Sequence, residues 1–395
     1  ARPDHGVQSV SLRRRRTPFA HPPPTPPLTL PVFQATDAAG YVMTDSPFLG
    51  LQEAVASVSD ARRISEVFTA VGGWSVRKLA DAPPAQWRAW RVPRRCTRIE
   101  QWLLRPARDD KGFVRLVKFH GVPQRVMRSS GRTWDTGGIF DVDVFTDDVR
   151  RVYRALQARG WSAYGDPVDY GWGGFDVSQV VATGPDGLAI AVLEPRQPPQ
   201  ARFPPYRGFS RVFNSSNMVR DYDATRRWFT EVLGWKYMVE GDLQGVVEPG
   251  ERIFGLPRPL ARETLRRCGI VHPAGLNDGS LETIAMPGLA GRDFADDCVA
   301  PNLGWLVWRF PVADARRHAR TLTSRGAQLY SRPAPLVLLP YGEVLSFSVR
   351  TPDGAILEFF ERVTGKDAKR SARRVVRRME EARWRRVAPR ARPVR

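Results

Sequence analysis

The stretch SDARRISEVFTAVGGW, residues 59–74, returns 161 positions later as RDYDATRRWFTEVLGW, residues 220–235. Overlaid without a gap, Asp60 falls on Asp221, Phe68 on Phe229, Thr69 on Thr230, Val71 on Val232, Gly73 on Gly234 and Trp74 on Trp235. A second pair, TDDVRRVYRALQARGW (146–161) and VADARRHARTLTSRGA (312–327), overlays at an offset of 166 with Asp148 on Asp314 and Gly160 on Gly326. All four copies share one order of signals. An alternating strand comes first, then an Asp placed to cap a helix, then a helix, then a Gly stop. Self-similarity at a fixed spacing marks a duplicated folding unit, here in the order A, B, A′, B′.

Working outward, GPDGLAIAVLEP (184–195) and TPDGAILEFFER (351–362) each set a Pro-Asp-Gly turn between two strands, so each unit reads βαβββ. In DVDVF (141–145), period-two alternation turns Val142 and Val144 to the helix layer and Asp141, Asp143 and Phe145 to the opposite side. The expected class is α+β: four βαβββ modules pairing into two curved eight-stranded sheets, each enclosing a cleft. The expected organisation is an Arg/Pro-rich disordered segment over 1–47, a first domain over 48–196, a Pro-rich linker over 197–208, a second domain over 209–362 and a basic tail over 363–395. Residues 1–42, which precede the first methionine, Met43, read as a gene-start extension or dispensable tail.

The chain has 395 residues with 42% hydrophobic and 10% aromatic side chains, enough for sizeable cores and too many for general disorder. No apolar run reaches the roughly 18–20 residues of a spanning helix. The net charge of +20 sits mostly at the ends, with +10 in residues 366–395 and +3 in residues 1–42, which leaves an ordinary +7 for the body. Arg supplies 55 of the 61 basic residues, a skew that fits GC-rich coding. Cys96, Cys268 and Cys298 are an odd number without metal-binding spacing, which argues against a disulfide framework and points to a reducing cytoplasm.

The stretches MVRDYDATRRWFTEVLGW (218–235) and TPDGAILEFFE (351–361) resemble the opening helix and closing hairpin of the vicinal oxygen chelate superfamily, which includes glyoxalase I, bleomycin-resistance proteins and extradiol dioxygenases. The resemblance spans about residues 48–362. It implies paired modules enclosing a cleft, a small-molecule ligand, and a divalent metal held by the first and last strands of each module in a pair. Carried over by counting, the ligand positions are Glu53, Asp141, Asn214 and Val307 on first strands and Arg115, Ala191, Glu282 and Glu358 on last strands.

With consecutive modules paired, the second half offers Asn214, Glu282, Val307 and Glu358. The expected metal ligands and catalytic groups are therefore Glu282 and Glu358, with Mg²⁺, Mn²⁺ or Fe²⁺ as the ion. His272 on a neighbouring strand and Tyr341 on a covering loop join the expected ligand-binding set. The first half offers Glu53, Arg115 and Asp141. An Arg there repels a cation and forms charge-assisted hydrogen bonds with neighbouring carboxylates or with an anionic ligand, which leaves that half degenerate. Trp172 and Phe175 in DYGWGGFD are read either as ligand-stacking groups or as packing.

Two function classes follow. One is a glyoxalase- or dioxygenase-like enzyme acting on a small oxygen-rich molecule through a metal that polarises vicinal oxygens. The other is a metal-free binding or resistance protein for an aromatic or antibiotic-like ligand. The tail 366–395 adds a third reading, a basic helix on nucleic acid or an anionic surface, set against a solvated terminus. A monomer and a homodimer both remain open.

Overall fold

The computed structural model describes residues 50–200, 203–243 and 253–363. The segment 1–47, all but the first residue of the tail 363–395 and the proposed tail helix lie outside the described residues.

The described elements fall into four groups along the chain, which we take as the four modules. The first holds β1 (Glu53–Ser57), α1 (Ala61–Glu66), β2 (Ser75–Lys78), α2 (Pro84–Ala89), β3 (Arg98–Arg105) and β4 (Phe113–His120). The second holds β5 (Val142–Phe145), α3 (Val149–Gln157), β6 (Ser162–Ala163), β7 (Val168–Trp172), β8 (Phe175–Thr183) and β9 (Ala189–Gln197). The third holds β10 (Val212–Asn214), β11 (Ser216–Met218), α4 (Tyr222–Arg227), β12 (Lys236–Leu243), α5 (Arg258–Glu263), β13 (Arg266–His272) and β14 (Leu281–Ala285). The fourth holds β15 (Gly304–Pro311), α6 (Ala315–Ser324), β16 (Leu329–Leu338), β17 (Gly342–Arg350) and β18 (Ile356–Arg362).

The repeat is visible in individual hydrogen bonds. Asp60, Asp148, Asp221 and Asp314 each accept from backbone N–H groups in the first turn of α1, α3, α4 and α6, satisfying donors that the helix start leaves open. Both α1 and α4 widen into a π-helical turn, with Gly72 N donating to Val67 O (3.1 Å) and, at the same offset of 161, Leu233 N donating to Trp228 O (3.2 Å). The stop glycines Gly73, Gly160, Gly234 and Gly326 all have φ between +71° and +97°, a backbone region that a Cβ disfavours.

The sheets correct the expected pairing. The first and second modules do not share a sheet, and neither do the third and fourth. Strands of the first and fourth modules form one eight-stranded sheet in the order β16-β17-β18-β15-β1-β4-β3-β2, with β1 antiparallel to β15. The second and third modules meet where β10 pairs with β5. There a six-stranded sheet containing β10 adjoins a four-stranded sheet containing β11, so the expected second eight-stranded sheet is divided at Ser215. The split at the Pro-rich linker therefore does not describe the sheets: the first and fourth modules pair with each other, and the second and third lie between them in the chain.

One continuous core joins the helices to one face of each sheet. It takes Ala54 and Ala56 from β1, Val142 and Val144 from β5, Trp308 and Phe310 from β15, and Phe68, Leu156, Phe229 and Leu322 from the helical segments. Val142 and Val144 thus face the helices as their alternation requires. Phe68 and Phe229, equivalent in the repeat, are fully buried, each contributing about 1.5–3 kcal/mol by removal from water. The opposite sheet faces carry the polar groups of interest.

Candidate functional site

Strand register brings equivalent positions together in both sheets. In the outer pair, Glu53 lies opposite Arg309, Arg309 beside Glu358, and Arg115 on the strand next to β1. In the inner pair, the same four positions hold Asn214, Asp143, Ala191 and Glu282. The residues expected to form one site are therefore divided between two.

The outer set is a closed ion-pair cluster. Arg115 donates from Nε and Nη2 to the two Glu53 oxygens at 2.6 and 3.0 Å and from Nη1 to Gln101 at 3.0 Å. Arg309 bridges Glu53 and Glu358, with its Nε 2.8 Å from Glu358 Oε1. The other Glu358 oxygen accepts from Gln86 Nε2 (3.1 Å) and Trp90 Nε1 (2.9 Å), both brought in by α2 and its end. Tyr341 OH donates to Glu53 at 3.1 Å. Glu53, Arg115 and Arg309 are 0% exposed and Glu358 1%, which leaves no face for a ligand. Burial alone would raise the Glu53 carboxyl, but Arg115 and Arg309 overcome it and hold it below its ordinary value. Two cations and two carboxylates compensate one another with every carboxylate oxygen bonded, the condition under which buried charge is tolerated.

Several expectations are corrected here. Glu358 and Tyr341 belong to this cluster and are not brought to Glu282. Val307 packs in an apolar layer with Val55 and Ile356. His272 is buried at the end of β13, where its Nδ1 accepts from Ala274 N (3.0 Å) and Leu276 N (3.2 Å) to shape the following turn. Burial pushes His272 down to about 4, so it is neutral at ordinary pH.

The inner set opens into a cavity of about 80 Å³ lined by Asp141, Asp143, Asn214, Ser216 and Glu282. Its walls are Phe145, Phe213, Tyr170, Trp172, Phe175 and Ile284, so Trp172 and Phe175, on the β7–β8 hairpin, do face the pocket. Ser216 ties the acids together: its N–H donates to Asp141 Oδ1 at 3.1 Å and its hydroxyl to Glu282 Oε2 at 3.4 Å. Asp143 shares a hydrogen bond with Asp141, while its Oδ1 is buried with no partner among the described residues. Burial, then the charge on Asp141, raises Glu282 to about 8. Burial, then the charges of Asp141 and Glu282, raises Asp143 well above the carboxylate range. Asp141 is raised less, because Ser216 and Asp143 donate to it. Burial and neighbouring Glu282 also keep Cys268 protonated, so it is no nucleophile.

The donor set does not fit a resident divalent metal in this arrangement. Ala191 supplies no donor, Asn214 Oδ1 is committed to Ser215 N at 2.6 Å, and Asp141 is engaged by Ser216 and Asp143. Among the described residues no group of three or more His, Cys, Asp or Glu side chains is placed to hold one. The sequence reading missed Asp143 and Arg309 because it counted seven residues back from each helix cap. Register puts the residue two positions later beside the closing strand, and the outward alternation of Asp143 was the available signal.

No protein-family model matches the sequence, and no curated protein matches it either. Among solved structures, glyoxalase I from Zea mays superposes with a TM-score of 0.52 at 15% identity, over 80% of this chain and 92% of that one. A putative dioxygenase from Bacillus subtilis gives 0.47 at 12% identity, over 80% and 86%. No helix among the described residues is long and apolar enough to cross a membrane. At such identities the likeness speaks for the fold alone, which is similar to that of glyoxalase I over most of both chains.

Proposed function

We propose that the inner pocket, between the second and third modules, is the working site of a glyoxalase- or dioxygenase-like protein that acts on a small oxygen-rich organic molecule by proton transfer. The observation that carries this reading is the unpartnered Asp143 carboxyl oxygen, buried beside a proton-holding Glu282 in an aromatic-walled cavity. A buried polar atom without a partner costs free energy that a ligand group can recover. Acid and base are separated by their surroundings: Asp141, which accepts from Ser216, is the group best placed to hold negative charge, and Glu282 and Asp143 retain protons. Asp141 would take a proton from the carbon or hydroxyl next to a carbonyl, while Glu282 donates to the carbonyl oxygen as charge develops there. A group titrating near 8 is still a proton donor at neutral pH. No step is routed through a metal, since the residues present do not gather into a ligand set.

Hydroxyacetone and catechol serve as probes by calorimetry. Binding should weaken about tenfold per pH unit once pH passes 8, as Glu282 loses its proton, and Glu282→Gln should remove that dependence. Pocket ligands whose affinity ignores both pH and Glu282→Gln would overturn the acid–base assignment and favour sequestration without chemistry.

A further inference from the structure

A second cavity, of about 510 Å³, lies at the β6–β8 end of the sheet, and its lining contains one cation, several hydroxyls and no acidic residue. We infer that it binds a small organic oxyanion, a phosphate or carboxylate carried on a planar body. Arg128 supplies the charge. Its guanidinium donates to the backbone carbonyls of Gly137 (2.7 Å) and Asp135 (2.6 Å), and no carboxylate within salt-bridge distance of it is found among the described residues. Those two bonds fix the guanidinium in place, with its centre 5.2 Å from the Phe140 ring centroid. Phe140 and Tyr164, also lining the cavity, lie 5.8 Å apart at 30° and form an aromatic wall.

Hydroxyl donors complete the site. Ser162 and Thr183, paired at 2.8 Å on adjacent strands, and the Ser129-Ser130-Gly131 segment line the cavity. Burial depresses the Arg128 guanidinium, and Cys298, Tyr164, Asp135 and Asp141 act in the opposite direction. A rigid guanidinium with neutral donors around it favours planar or tetrahedral oxyanions over cations and over neutral molecules. The inference assigns no role to the inner pocket's acids, although Arg128 interacts electrostatically with one of them, Asp141.

Calorimetric titration with phenyl phosphate, benzoate and phenol tests it. Phenyl phosphate or benzoate should bind one to one, at least about tenfold more tightly than phenol, and more weakly as salt is raised. Arg128→Gln should weaken the anion at least about tenfold. Because Arg128 also holds a turn, Thr183→Val with Tyr164→Phe provides a second variant, expected to weaken it severalfold while leaving the thermal midpoint close to that of the parent. Equal binding of phenol, or anion binding lost in Asp143→Asn but kept in Arg128→Gln, would overturn the assignment. Absence of binding by both anions at millimolar concentration would do the same.

Discussion

Replacing Glu282 by Gln is the sharpest test of the inner pocket, because it keeps shape and hydrogen bonding and removes only the titration. The ordinary value for this carboxyl is 4.5 and the folded protein raises it to about 8. Its sign is opposite to that of a salt-bridged carboxylate. Stability is fully present while Glu282 is protonated and drains away as pH rises from 4.5 towards 8, since the unfolded chain ionises first. Each pH unit in that window costs about 1.4 kcal/mol, so complete ionisation sets an upper bound on the order of 5 kcal/mol. The carboxyl is partly open to the cavity, and solvent screening lowers the expectation to roughly 2–4 kcal/mol. The assay is urea unfolding of parent and Glu282→Gln at about pH 5 and pH 8.5. The parent should lose stability relative to the variant by that amount, with equal m-values. Asp141 and Asp143 titrate in both proteins and largely cancel in the difference. Parallel stability curves would refute the claim that Glu282 keeps its proton at neutral pH, and the acid role would go with it.

In the outer cluster, Glu53→Gln leaves Arg115 and Arg309 with one carboxylate between them in a fully buried setting, and should destabilise by about 3–5 kcal/mol in denaturant titration; a loss below about 1 kcal/mol would contradict the picture of a sealed cluster. His272 should titrate by NMR near 4, below the ordinary 6.5, so its contribution to stability is intact above 6.5 and lost as pH falls towards 4; a normal titration would place the ring in solvent. Asp221→Ala removes the cap on α4 and should cost about 1 kcal/mol, read as a lowered urea midpoint; no change would mean that the helix start is held by packing alone. Millimolar Mg²⁺, Mn²⁺ or Zn²⁺ should leave the thermal midpoint within about a degree, since an ion that binds only the folded state raises it; a rise of several degrees that Asp141→Asn abolishes would return the pocket to metal chemistry.

The modules and helix ends were legible in the sequence because they rest on local physics. An Asp cap, a Gly stop and period-two alternation act within a few residues, and Asp60, Gly73 and Val142 sit where those rules put them. Which module pairs with which was not legible. That choice is made by long-range packing, and both nested and consecutive pairing satisfy every local signal. The consequence reached the site directly. Glu282 and Glu358 occupy equivalent positions in the repeat, yet one meets Asp141 and Ser216 and the other meets Arg309 and Trp90. The Arg at position 115 did announce a cluster of compensating charge rather than a metal, but its partner Arg309 was hidden by a ligand position taken at Val307.

The nested pairing has a bearing on how the chain is made. Glu53 and Arg309 touch across 256 positions, so during synthesis the first module must wait for the last, whereas the middle two can dock as soon as β14 has emerged. Such distant closure is slow and leaves strand edges unprotected in the meantime. A ribosome that stops before β15 would release a nascent chain with one edge of β1 unpaired, and a gene cut at residues 197–208 would yield two fragments that each lack the partner they need. The protein behaves like a sentence with one clause inside another, complete only when its final word has been spoken.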